Sequence, residues 1–342
     1  MRLKICIIGA GNISNTRHIP GLRQSGRADI IGVVGVSERN VNRTALKHRI
    51  PNQYVLTKDS AYDIQLEKLP WFHEVDAVII GVPPHEHYNI ARACLLLKKH
   101  VLLEKPMVMN VEQADELIGI SDQQGLVFNL MHNFQYAGNF LKLEKRLKSG
   151  EFGEIVSFFE MQYTNRNRRL PEWYNELPLG LFYDEAAHFI YLLEKLGGDV
   201  KVLNAHAQFG DVKEATPMLL TATLQAGKYP VSMFINFNSP ICEWTLIISC
   251  TKKLVIYDFF RDIVIAIPND QQHLAKNVIT TSWSFTIQHW IGTITNGLKM
   301  LRGNLLYGHD VVINHFFNNI ETGIPNPEIG AYVGKKKCNY DE

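Results

Sequence analysis

Paired cysteines, surplus charge and long apolar runs are all missing from this 342-residue sequence, and each absence narrows what the chain can be. The five cysteines, Cys6, Cys94, Cys242, Cys250 and Cys338, are odd in number, scattered, and never spaced as C-x-x-C. That pattern argues against a disulfide framework or a structural zinc and fits a reducing, cytoplasmic setting. No run approaches the roughly 20 apolar residues of a membrane-spanning helix. The N-terminus "MRLKICIIGAG" passes directly into a strand and a glycine turn, so no signal peptide is read there. With 35 Lys+Arg against 34 Asp+Glu, neither nucleic acid nor a membrane surface is expected as a partner, which leaves small-molecule ligands.

What the sequence does contain is a change of rhythm. Its length exceeds what one hydrophobic core usually organises, so two domains are expected. The first third alternates short β-rich runs ("KICIIGAG", "DIIGVVGVS", "YVLT", "AVIIGVPP", "HVLLEKP", "GLVFNLMHN") with helix-like stretches such as Val111 to Gly119. Continuous apolar strands joined through helices predict a parallel sheet covered on both faces. After residue 131 the runs alternate or are β-branched: "IVSFFEMQYTN", "KVLNAHAQF", "PMLLTATLQ", "YPVSMFINFN", "WTLIISCTKKLVIYDFF". They predict a large, mostly antiparallel open sheet, with one helix, "EAAHFIYLLEKLGG", closed by Gly197 and Gly198. The tail from Ser282 returns to helical spacing.

The first strand ends in "IIGAGNIS". Gly9 permits the tight turn, Gly11 lets backbone approach a pyrophosphate at a helix N-terminus, and Ser14 stands for the third glycine of the dinucleotide fingerprint. Asn12 and Ile13 complete the turn. Residues 1–131 are therefore expected to form an α/β Rossmann domain, and residues 132–342 an α+β substrate-binding and oligomerisation domain. NAD-specific folds place an acid at the end of the second strand to hold the ribose. Here "GVVGVSERN" offers Gly35 at that position, then Ser37 and Arg39, a hydroxyl and a guanidinium suited to a 2′-phosphate. The cofactor expected is NADP or NAD, with a lean to NADP; the competing readings are that Glu38 takes the acidic role, or that Arg39 is a solvated surface residue.

In "VIIGVPPHEHYNIARACLLLKKHVLLEKP", Pro83 and Pro84 stop a strand at the carboxyl edge of the sheet, where open α/β folds bind ligands. His85 and His87 either cap the next helix or line the cofactor site, and Glu104–Lys105–Pro106 arrive on the same edge from the following strand.

This segment resembles the Gfo/Idh/MocA family of NAD(P)-dependent oxidoreductases, named for glucose–fructose oxidoreductase and inositol dehydrogenase, and the resemblance spans nearly the whole chain. It implies that Lys105 lies beside the nicotinamide and the substrate hydroxyl, that Pro106 fixes the turn, often through a cis Lys105–Pro106 bond, and that Glu104 orients the lysine or contacts the nicotinamide ribose. Pro83 and His87 fall with the cofactor contacts. In "LFYDEAAHFIYLL", Asp184 and His188 match the family's catalytic pair, four residues apart on one helix face, with Tyr183 beside them. The usual glycine between the two is Ala186. "NLMHNFQY" supplies Asn133 for substrate but has Gln135 where the family carries arginine. "TNRNRR" places Arg166 and its neighbours where a phosphate or carboxylate could be gripped, or where a loop is simply solvated.

The activity implied is hydride transfer between nicotinamide C4 and a carbinol carbon of a sugar, sugar nucleotide or cyclitol. His188 is the expected acid/base, Asp184 its orienting partner and Lys105 the electrostatic support, although some family members reverse the first and last roles. No metal is expected. The alternative is a non-catalytic, dinucleotide-sensing regulator of the same fold. By the same resemblance the C-terminal sheet pairs with copies of itself in a homodimer or homotetramer.

Overall fold

A computed structural model describes residues 2–165, 168, 172–210 and 215–338. Six strands, β1 (Leu3–Ile8), β2 (Ala28–Gly35), β3 (Asn52–Val55), β4 (Ala77–Ile80), β5 (His100–Leu103) and β6 (Phe128–Leu130), form one sheet in the order β3-β2-β1-β4-β5-β6. Every pairing in it is parallel. Ile5 to Ile8 and Ala77 to Ile80 are fully buried, as expected for strands covered on both faces. The connecting helices are α1 (Ile19–Ser25), α2 (Glu38–His48), α3 (Tyr62–Glu67), α4 (Pro84–Leu96) and α5 (Val111–Gln123). This is the expected Rossmann topology, with the strand order reversing between β1 and β4.

The second sheet has seven strands: β7 (Ile155–Asn165), β8 (Val200–Gln208), β9 (Leu219–Ala226), β10 (Tyr229–Ser239), β11 (Glu243–Cys250), β12 (Lys253–Asp258) and β13 (Ile263–Pro268). Their order is β13-β12-β11-β7-β10-β9-β8. All neighbours run antiparallel except β7 and β10, which are parallel. The helices α6 (Gly138–Lys148), α7 (Leu181–Gly197) and α8 (Ala275–Leu301) belong to this part of the chain, and α9 (His309–Thr322) and α10 (Ala331–Cys338) follow.

The chain divides into two units: residues through Asn133 together with those from Gly308 onward, and Phe134–Tyr307. The C-terminal segment, read from sequence as part of the second domain, thus packs on the first. Arg27 donates to Glu321 at 2.8 Å, Leu130 N–H donates to Ile329 O at 2.7 Å, and Lys335 pairs with Asp115. Val312, Ile313, Phe316 and Phe317 of α9 are fully buried. Helical spacing identifies that buried face but cannot say which sheet's helices it meets.

The buried face of β7 carries Phe158, Glu160, Gln162 and Thr164, and Glu160 is its one carboxyl group. Glu160 is fully buried between Met233 and Leu246 on the neighbouring strands, and neither carboxylate oxygen has a hydrogen-bond partner among the described residues. Burial pushes its pKa well above the carboxylate range, so the acid is favoured as the neutral form. Since the folded pKa lies above the unfolded one, its contribution is fully present below about pH 4.3 and is lost as pH rises through the folded value. Glu160→Met should therefore raise stability by roughly 1–3 kcal/mol at pH 8 and by clearly less at pH 4.5. Thermal melts at the two pH values check this; a difference that does not change with pH would show that the carboxyl is not titrating.

Candidate active site

At the carboxyl end of β1 the backbone admits only glycine. Gly9 has φ of 104°, and a Cβ there would come within 2.2 Å of Gly81 O. Its N–H donates to Val34 O at 2.8 Å, locking the turn to β2. Above Gly11 the opposite holds: a Cβ would meet nothing within 4 Å, leaving room where a phosphate would approach the backbone. Ser14 is buried and donates its hydroxyl proton to Gly9 O at 2.5 Å, so it ties the turn that a third glycine would merely allow. Asn12 is exposed and Ile13 half-buried. Three residues that the sequence reading passed over, Asn15, Thr44 and His48, complete the support. Asn15 donates to Gly11 O at 2.8 Å and to Thr44 Oγ1 at 2.9 Å, and its carbonyl meets His48 Nε2 at 2.9 Å.

At the end of β2, a side chain on Gly35 would press to 3.1 Å from Val41 Cγ2. The ribose-binding acid of NAD-specific folds has little space there. Ser37 caps α2, its hydroxyl accepting from Asn40 N–H at 3.4 Å, and Arg39 stands exposed in the first turn. The space above Gly11, on a turn held by Gly9 and Ser14, leaves room for the phosphates of a dinucleotide.

The Glu104–Lys105–Pro106 turn follows β5, and its Lys105–Pro106 bond is cis. Glu104 is buried beneath it. His18 Nε2 lies 2.8 Å and His309 Nε2 3.7 Å from Glu104 Oε1, while Oε2 accepts the Lys105 backbone N–H at 3.3 Å. Burial works to raise the Glu104 pKa, but the hydrogen bonds and charge of His18 and His309 outweigh it and hold the carboxyl well below its usual range. Burial lowers the His18 pKa against the pull of Glu104. The carboxylate receives an N–H from the His18 ring. Ligand atoms of His18, Glu104 and His309 lie within 4.8 Å of one another and could hold a metal ion. The 2.8 Å contact is accounted for by a proton alone.

His87, expected at the cofactor, is fully buried with Nδ1 2.7 Å from Pro106 O and Nε2 3.0 Å from Val82 O. Burial lowers its pKa, against the two carbonyls, each of which favours a ring nitrogen that donates. The structure therefore employs it as a clamp on the backbone around Lys105. Pro83 is the N-cap of α4. Lys105 is half-buried and Asn133, just after β6, is buried.

In the second unit, α7 carries Tyr183, Asp184 and His188, of which the last two are buried. The His188 ring is enclosed by aromatic side chains, with centroid separations of 4.8 Å to Phe134 and 5.6 Å to both Tyr191 and Trp244. Its Nδ1 lies 2.7 Å from the Tyr191 hydroxyl, which also accepts Phe134 N–H at 3.1 Å. Tyr191, one turn along the helix, was not anticipated; its i, i+3 spacing from His188 was the available signal. Asp184 accepts from the Tyr174 hydroxyl at 3.4 Å. Next to it, half-buried Glu185 is bonded by Gln162 and Arg168, so Arg168 is an internal ion-pair partner. Arg166 lies outside the described residues.

Residues 3–132 match the model of an oxidoreductase family with an NAD-binding Rossmann fold, GFO_IDH_MocA. Among curated relatives, the scyllo-inositol 2-dehydrogenase (NADP(+)) IolW of Bacillus subtilis is 26% identical over 239 residues, which cover 68% of this chain and 62% of that protein. The chain spans less than two thirds of the length of such relatives. The dehydrogenase MviM of Clostridium difficile has the same fold, with a TM-score of 0.74, 18% identity and coverage of 99% of this chain and 98% of that one. So does GenD2 from gentamicin A biosynthesis, solved with NAD, with a TM-score of 0.74, 17% identity and coverage of 98% and 91%. Residues 3–132 of this chain thus carry the NAD-binding Rossmann domain of the Gfo/Idh/MocA oxidoreductase family, and the whole chain shares its fold with these two solved proteins. Among the described residues, no helix is long and apolar enough to cross a membrane.

Because Glu104 has a folded pKa below its unfolded one, the stability it contributes is present above about pH 4.3 and is lost as pH falls toward the folded value. Glu104→Leu should cost roughly 3 kcal/mol at pH 7 and flatten the acid limb of the stability profile. Denaturant titrations at pH 7 and pH 4 measure both effects.

Proposed function

We propose that the protein is an NAD(P)-dependent oxidoreductase that interconverts a secondary alcohol and a ketone on a sugar, sugar nucleotide or cyclitol. The observation that carries the reading is the buried His188 imidazole, held at Nδ1 by the Tyr191 hydroxyl on the helix that also presents Asp184. Tyrosine oxygen has two lone pairs, and Phe134 N–H takes one. When the second accepts Nδ1–H, Nε2 becomes the basic nitrogen, and the same bond persists once the ring is doubly protonated. His188 can then take the hydroxyl proton in oxidation and return it in reduction without turning its ring. Lys105 supplies positive charge to the developing alkoxide, and Asp184 stabilises the imidazolium. The dinucleotide, when bound, accepts or supplies the hydride at nicotinamide C4. Gly9, Gly11, Asn12 and Ile13 would hold its pyrophosphate, and Ser37 and Arg39 its 2′-phosphate, which favours NADP over NAD. Substrate contacts are assigned to Lys105, Asn133, Arg166, Tyr183, Asp184 and His188.

The relation to a dehydrogenase of scyllo-inositol supports a polyhydroxylated substrate. The open sheet of the second unit, exposed at Val202 and Leu203 of β8, is proposed to pair with a copy of itself.

Purified protein assayed with NADP and NAD against sugars, sugar nucleotides and cyclitols should turn over at least one class. Lys105→Met and His188→Asn should each lower kcat by about 10²–10⁴ while leaving cofactor binding in place. NADPH binding with no turnover across the panel would point to the dinucleotide-sensing regulator and overturn the enzyme. Separately, Arg39→Ala should raise the KM for NADP about tenfold and leave that for NAD nearly unchanged. Equal effects on the two cofactors would remove the assignment to the 2′-phosphate.

A further inference from the structure

Helix α8 is seated with its polar side inward. Ser284, Gln288, Gly292 and Asn296, spaced by four, form the stripe that meets its own unit. Gln288 accepts the N–H of Ala266 at 3.0 Å and donates to Ala266 O at 3.1 Å. Asn296 donates to Asp262 O at 2.6 Å and Arg261 O at 3.1 Å. A Cβ on Gly292 would strike Ile263 Cγ2 at 2.6 Å, so glycine sets how closely the helix approaches. β13 is an edge strand of the sheet, and at Ala266 the Gln288 amide takes the positions a further strand would use.

The apolar side of α8 faces outward. Trp283, Ile287, Trp290, Ile291, Ile294 and Leu298 are each between 50% and 64% exposed. Together they expose on the order of 700 Å², more than the few hundred a monomer usually leaves open and close to one side of a standard interface. Between Trp283 and Leu298 there is no Asp, Glu, Lys or Arg. A charged partner has nothing to read there, and the only Lys or Arg residues of α8, Lys276 and Lys299, stand beyond the two ends of the stripe, far fewer than the Lys/Arg-rich polar face of a membrane-surface helix.

The order of the side chains identifies the occupant. The six positions are spaced symmetrically about the midpoint between Trp290 and Ile291, so two antiparallel copies place Trp283 on the partner's Leu298, Ile287 on the partner's Ile294, and Trp290 on the partner's Ile291, with exposed Leu301 reaching the partner's Thr280. Lys299 then falls opposite the partner's Ser282, so no two lysines meet. Such self-complementarity is what a two-fold interface requires. We infer that the outward stripe of α8 is a self-association surface that pairs with the same helix of a second copy. It is distinct from the β8 side of the sheet and independent of the redox reading.

Light scattering coupled to gel filtration should give a particle of at least twice the 39.0 kDa chain mass. The double variant Trp290→Lys, Ile294→Lys should halve that mass while retaining the parent's circular dichroism. Should that variant misfold, Ile291→Cys decides: a short bis-maleimide should cross-link it into a dimer through position 291, with mass-spectrometric identification of the linked peptide. A parent that runs as a single chain, a double variant of unchanged mass, or absence of the 291–291 cross-link overturns the inference. So does a monomer that sediments with phosphatidylcholine/phosphatidylserine vesicles, which would assign the stripe to a lipid surface.

Discussion

A buried carboxylate organises the first unit. Glu104 leaves the end of β5 and is met by His18, which precedes α1, and by His309, which opens α9. An unpaired anion at that depth would be very costly, so the two imidazoles must be in place for the chain to close around it. The consequence reaches the turn above. One Glu104 oxygen faces the histidines and the other holds the Lys105 amide, while His87 grips Val82 and Pro106 from the opposite side. Lys105 is thus presented on backbone pinned by groups that are themselves buried, the kind of support a positioned catalytic charge needs.

The second unit solves the corresponding problem for His188 with aromatic rings and a hydroxyl. Phe134, Tyr191 and Trp244 exclude water from most of the imidazole, and Tyr191 fixes its Nδ1 edge. Acidic groups nearby are sorted by environment. Glu185 is neutralised by Arg168 within the fold, Glu160 lies buried with no hydrogen-bond partner among the described residues, and Asp184 meets the Tyr174 hydroxyl. Burial first, then the Asp184 and Glu185 carboxylates, push the Tyr174 phenol upward, so that hydroxyl is a donor at any ordinary pH.

Helix α8 shows how a sheet edge can be closed at a point without another strand. By lending an amide side chain to Ala266 it protects β13, and it reserves its apolar stripe for the outside. Stability of the unit and association of the whole chain are thereby assigned to opposite faces of one helix.

Local pattern was enough to determine several features of this protein. Continuous apolar strands ending in glycine or proline specified the parallel sheet, alternation specified the second sheet, and Gly9 announced a turn that no other residue could make, because each of these is a property of neighbours along the chain. The four-residue spacing of Asp184 and His188 likewise put them on one helix face. Only the tertiary structure decided that α9 and α10 return to the first unit, that His87 clamps backbone, that Arg168 is spent on Glu185, and that Glu104 is met by residues 86 and 205 positions away. Those outcomes depend on which groups become buried together, and burial, unlike periodicity, is settled by contacts between segments that carry no mark of one another in the linear sequence.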